Sequence, residues 1–134
     1  MPIMYFEAPD VKKLVDEIAS SLNLFHITPQ FVLCVRSKGS KSTRTIARIH
    51  GLGKIWQEML NLPPTYIIEV ISEHYDSLSE EEKEKTLIHE LLHIPHGFSG
   101  GFRPHKGYIS REKVELLHRS FRHKRNSSGK VDDF

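Results

Sequence analysis

Val11, Leu14, Val15, Ile18, Ala19 and Leu22 recur every three or four residues, the spacing of one face of an α-helix. They predict an amphipathic helix over residues 10–23, with Asp10 as its N-cap. Thr28-Pro29-Gln30 breaks the chain. FVLCVR (31–36) then reads as a short buried strand, followed by a polar, glycine-containing loop at 37–43. Residues 45–50 fit a second strand that ends at Gly51-Leu52-Gly53. Residues 54–60 fit a short helix with Trp56 as a packing anchor, closed by Pro63-Pro64. TYIIEVIS (65–72), rich in β-branched residues, is the clearest strand. Both its faces are largely apolar, which allows a central place with 31–36 or 45–50 at the sheet edge.

The pattern then returns to helical spacing. Ser79 followed by Glu82 is a capping-box signature, and the acidic first turn complements the helix dipole. Leu87, Ile88, Leu91 and Leu92 supply a buried face, so a helix over 79–94 is expected, limited by Pro95. Residues 95–109 read as loop. Ser110 caps a last helix over 111–124, with Val114, Leu117 and Phe121 inward. Residues 1–125 form one domain in this reading, and 126–134 a flexible C-terminal tail.

Bulk properties narrow the class. A chain of 134 residues supports one domain with one core. Hydrophobic content of 38% and charged content of 27% are ordinary for a globular protein. No apolar run approaches the ~20 residues needed to span a bilayer, and MPIMYFEAPD lacks the features of a signal peptide. A cytoplasmic protein without a membrane partner is expected. The lone Cys34 excludes an internal disulfide and reads as a buried thiol. The net charge of +2 implies no particular partner, but the acid-free stretch from His118 to Lys130 is basic enough to contact phosphates.

The chemistry lies in His89-Glu90-Leu91-Leu92-His93. Histidines four apart on a helix share one face, and their imidazoles can converge on one cation. Glu90 beside them can act on a water held by the metal without being a ligand. That is the H-E-x-x-H logic of zinc hydrolases, with one catalytic Zn²⁺ and Glu90 as general base and acid. A catalytic zinc commonly takes three protein ligands, so a third is needed. The metzincin pattern requires glycine at position 96 and histidine at position 99, where this chain has His96 and Ser99. The inverted H-x-x-E-H order is absent, and Cys34 lacks the surroundings of a thiolate ligand. Three options stay open. His96 lies three residues past His93, but beyond Pro95. Glu112, with Glu115 on the same helix, lies nineteen residues past His93. His105 lies twelve past it, and glycines at 97, 100 and 101 allow a reversal that returns the chain to the metal. Tyr108, Arg103 and His96 are candidates for steadying substrate or a developing oxyanion.

IHELLHIP followed by FSGGFRPHKG, with ARIHGLGKIWQ and YIIEVIS upstream, resembles a family of small metallopeptidases of archaea with phage relatives. The related SprT-like zincins are similar in carrying a loop histidine after the H-E-x-x-H helix as third ligand, and His105 in RPHKG resembles it. Minigluzincins are similar in size and use a glutamate instead. The resemblance implies a single α+β zincin-like domain. A small twisted sheet would pack on an N-terminal helix and the H-E-x-x-H helix, closed by a C-terminal helix. It also implies a peptide or protein substrate, cleaved by zinc chemistry with His89, His93 and His105 as ligands. The competing reading is a non-catalytic, zinc-stabilised binding module that uses the basic C-terminal helix to contact nucleic acid or protein.

Overall fold

The computed structural model describes residues 2–132. Its first element is a strand that the apolar pattern does not announce, β1 (Met4–Glu7), whose four side chains are all exposed. Helix α1 (Pro9–Ser21) follows. Proline suits the first helical position, where no intrahelical N–H bond is lost. Ala8 holds the cap position without a side-chain bond, so Asp10 is not the N-cap. Its carboxylate instead accepts bonds of 2.9 and 3.0 Å from Arg36, which hold its pKa below the ordinary value.

A 3-10 turn at Pro29–Phe31 leads into β2 (Val32–Lys38). Then come β3 (Ala47–Gly51), α2 (Lys54–Leu60), β4 (Tyr66–Ile71) and the single turn α3 (Ser72–Tyr75). Helix α4 (Glu80–Leu92) carries the H-E-x-x-H residues, and α5 (Arg111–Asp132) closes the fold. The sheet order is β1-β2-β4-β3, with β2 and β4 parallel and the outer pairs antiparallel. The β-branched strand 66–71 is therefore central, and the strand read from residues 45–50 is an edge. Ile71 N–H bonds Ile46 C=O, and Leu52 N–H bonds Thr65 C=O. Antiparallel pairing alternates, so the even positions of this strand face β4 and the backbone groups of Ala47 and Ile49 turn outward.

Helices α1 and α4 pack on one sheet face, where Val32, Cys34, Tyr66, Ile68 and Val70 meet Val15, Ile18, Leu87 and Leu91. Cys34 is the buried free thiol expected, and burial pushes its pKa up to about 12. Trp56 does not anchor α2. It is 59% exposed, and its apolar neighbours Ile55, Met59 and Leu60 are exposed too, because no described element covers that face. On the other sheet face Glu69 is buried. Its carboxylate accepts from Ser37 Oγ at 2.6 Å and pairs with His50 Nε2 at 2.8 Å and Arg48 Nε at 3.2 Å.

Helix α5 passes its expected end near residue 124 and continues to Asp132, so most of the supposed tail is helical. Asp133 and Phe134 lie outside the described residues. Polar contacts anchor this helix as far as Arg125. Glu84 of α4 is fully buried and accepts from His118 Nε2 at 2.8 Å, Arg122 Nε at 2.7 Å and Arg125 Nη1 at 2.9 Å. Arg125 also pairs with Glu17 of α1. Burial alone raises such a carboxyl's pKa, but these bonds and charges outweigh it and hold Glu84 below the ordinary value. The basic stretch, read as one that could contact phosphates, thus turns His118, Arg122 and Arg125 inward, and Lys124 Nζ bonds Ser21 C=O at 2.6 Å. No described helix is long and apolar enough to cross a membrane. The architecture is the α+β single domain of zincin type that the sequence implies.

Candidate metal centre

Ser79 starts α4 as expected, its Oγ accepting from Glu82 N–H at 3.2 Å. The helix ends at Leu92, and His93 keeps helical angles at the C-cap. Its last turn tightens, with His93 N–H to Glu90 C=O and Ile94 N–H to Leu91 C=O, each 3.1 Å, before Pro95 stops it. His89 and His93 remain one turn apart, with ring centroids 5.3 Å apart.

The chain then reverses. Of the three glycines expected to allow this, Gly100 is the one whose conformation demands glycine, at φ +101° with Leu52 C=O where a Cβ would stand. A further turn forms at 105–109, where Ile109 N–H bonds His105 C=O at 2.8 Å and Gly107 adopts φ +86°. The result places His105 against the helix. Its ring centroid lies 5.1 Å from that of His89 and 4.7 Å from that of His93. Among the described residues, one ligand atom each from His89, His93 and His105 lies within 4.8 Å of the other two.

The donor set fits a tetrahedral ion. Two nitrogens each about 2.05 Å from a tetrahedral centre stand about 3.3 Å apart, and His89 Nε2 and His105 Nε2 are 3.2 Å apart. His93 Nδ1 lies 2.9 Å from Arg103 C=O, and the same two residues are joined again by Arg103 N–H to His93 C=O at 2.8 Å. A proton on Nδ1 of His93 leaves Nε2 as the free donor. Burial first, and then its two histidine neighbours, lower the pKa of His89 and favour the neutral, ligating form.

Glu90 lies beside this group and is 7% exposed. Its Oε2 has no hydrogen-bond partner among the described residues. Burial alone raises its pKa to about 7. His89 and Glu90 form one wall of a cleft of about 590 Å³ that also touches Ala47 of the free edge and Ile109, Val114 and Glu115 of the closing segment.

The other candidates go elsewhere. His96 stacks on His26, with ring centroids 4.5 Å apart. Glu115 faces the cleft but pairs with Lys85 at 3.1 Å, and Glu112 is exposed; neither carboxylate joins the converging donors. Arg103 places its guanidinium over the ring of Tyr108 at 5.1 Å, so its backbone rather than its charge meets His93. Sequence reading missed Tyr66 and Gln57, which hold the ligand loop. Tyr66 Oη accepts from Gly100 N–H at 2.9 Å and donates to Gly101 C=O at 2.7 Å, while Gln57 Nε2 donates to Ser99 C=O at 2.9 Å. The only signals were a phenol opening an apolar strand and a single amide in a short helix.

A family model described as "Putative phage metallopeptidase" matches residues 3–129. The chain belongs to that family. Searches among curated proteins and among solved structures found no match. For this member of a metallopeptidase family, the matched span takes in α4, the ligand loop and the sheet edge together. Membership implies a metal ion, and the His89, His93 and His105 group could hold one.

Proposed function

We propose that this chain is a zinc-dependent peptidase of the zincin type, with His89, His93 and His105 as ligands to one Zn²⁺. The observation that carries the proposal is the convergence of three imidazoles beside a buried carboxylate with one unpartnered oxygen. Zinc held there supplies Lewis acidity and lowers the pKa of water. Glu90 does the proton work, accepting a proton from the attacking water and returning it to the leaving amine. A pKa near 7 suits both halves of that task. The outward backbone groups of Ala47 and Ile49 pair with an extended peptide and lay it along the cleft. Arg103 and Tyr108, stacked on the ligand loop, are the candidate donors to the developing oxyanion. A loop histidine as third ligand is the arrangement of the SprT-like zincins, and it supports kinship with them over the glutamate-bearing minigluzincins.

A zinc-pinned binding module would have no use for the free oxygen of Glu90, and two of the cations that it would employ, Arg122 and Arg125, are engaged by Glu84.

Metal analysis and peptide digestion test the reading together. Purified protein should carry about one zinc per chain and cleave casein or a mixed peptide library. Glu90→Gln should keep the metal and lose about 10²- to 10⁴-fold in kcat. His105→Ala should lose zinc affinity, while Glu112→Ala and Glu115→Ala keep it. A wild type that binds zinc and cleaves nothing sinks the peptidase. Full zinc affinity in His105→Ala sinks the ligand assignment.

A further inference from the structure

The bonds that seat the ligand loop have a consequence for the metal. Tyr66 is fully buried at the start of the central strand, and its ring packs edge-on against Phe98 and Phe102, with centroids 5.1 and 5.9 Å away. Its hydroxyl bonds the loop backbone between those two aromatics, through Gly100 N–H and Gly101 C=O. Gln57 grips the neighbouring peptide and also donates to Leu52 C=O at 2.7 Å. Gly100 is pressed so close that an added Cβ would stand 2.4 Å from Leu52 C=O and 2.7 Å from Gln57 Nε2. At Gly51 an added Cβ would stand 2.2 Å from Gly100 C=O. The loop therefore has one seat on the end of the sheet, and the phenol and the amide lock it there.

What lies downstream of the lock is the donor set. Two residues past Gly101, both backbone groups of Arg103 are bound to His93, one of them to its imidazole Nδ1. Two residues further is His105. Four residues of extended chain reach at most about 14 Å, so little slack separates the phenol from the third imidazole.

We propose that Tyr66, with Gln57 behind it, is a positioning residue of the metal centre. Its hydroxyl holds the loop so that His93 and His105 stand ready before the ion arrives. This rests on reading the three histidines as a metal site, but not on any peptidase activity. Partners that orient ligands from behind commonly tune metal affinity by about 10- to 100-fold, and the Tyr66 lock acts through the peptide that orients His93.

The test is zinc affinity by competition with a chromophoric chelator, together with the visible spectrum of the cobalt-substituted protein. Tyr66→Phe keeps the ring and removes only the hydroxyl. It should weaken zinc binding about tenfold and alter the cobalt spectrum. Gln57→Leu, on an exposed helix, should weaken binding in the same direction and decides the matter if Tyr66→Phe does not fold. In both variants the rise in melting temperature on adding zinc should shrink. Ser37→Ala is the control, since it removes a buried hydroxyl from the opposite sheet face. It should lower the melting temperatures of the zinc-free and zinc-loaded proteins equally and leave affinity alone. Zinc affinity within twofold of wild type in the variants that fold overturns the proposal, whatever their melting temperatures do. A wild type that takes up no zinc overturns the metal reading first, and this inference with it.

Discussion

Two buried glutamates six residues apart on α4 have opposite surroundings. Glu84 is fully enclosed and meets two arginines and a histidine from α5. Glu90 is nearly as enclosed and meets none, with one oxygen left unpartnered. The first is held below the ordinary carboxylate pKa, and the second is raised to about 7. Burial is common to both, so partners decide the difference. A buried carboxylate with every lone pair used fastens helices together. One with an oxygen to spare is available for proton transfer. The same helix therefore serves as a structural beam over one part of its length and as a chemical surface over the next.

Exchanging charge for a neutral isostere breaks this comparison most directly. Glu90→Gln should cost about 10²- to 10⁴-fold in kcat and no folding stability, measured by digestion and by urea unfolding of the metal-free protein. Glu84→Gln should do the reverse and lower the unfolding free energy by about 2 kcal/mol, since it leaves the partly exposed Arg122 and Arg125 short of a counter-charge. Equal losses of stability in the two variants would refute the division of labour.

A smaller effect sharpens it through pH. The pKa of Glu84 is lowered from 4.5 on folding. Its contribution is therefore fully present above the unfolded value and is lost as pH falls through the folded one. Urea midpoints of the wild type should drop below about pH 4.5 more steeply than those of Glu84→Gln. Glu69, lowered by Ser37, His50 and Arg48 against the opposing effect of burial, leaves a residual acid dependence in both proteins. The smallest expected change is in Arg122→Lys. It trades a two-pronged contact with Glu84 for a single ammonium at a site one-third exposed, at a cost of about 1 kcal/mol or less.

The contrast also explains what was legible in the sequence. His89, Glu90 and His93 were readable because helical geometry fixes side chains four apart on one face, whatever the rest of the fold does. The strand at 66–71 and the caps at Ser79 and Ser110 were legible for the same local reason. The approach of His105 to His89 and His93 needed only a plausible reversal, and Gly100 provides it. Glu84 was not legible, because among the acids of a helix's first turns nothing local marks the one whose partners come from more than thirty residues away. The bonds of His118, Arg122 and Arg125 to Glu84 went unseen for the same reason, and a basic run read as a solvent-facing surface. β1 escaped because an exposed edge strand needs no apolar alternation. Trp56 misled because burial of an aromatic depends on a neighbour that this fold does not supply.

The two polar clusters also differ in how much chain they close. His89 and His105 are 16 residues apart, whereas Arg125 and Glu17 are 108 apart. Arginine and glutamate, which the chain carries with it, help the apolar core to join α1, α4 and α5. An ion across so short a segment restrains little of the unfolded chain. On the proposed reading, the metal-free protein should therefore already be folded, and added zinc should fill its site without any refolding.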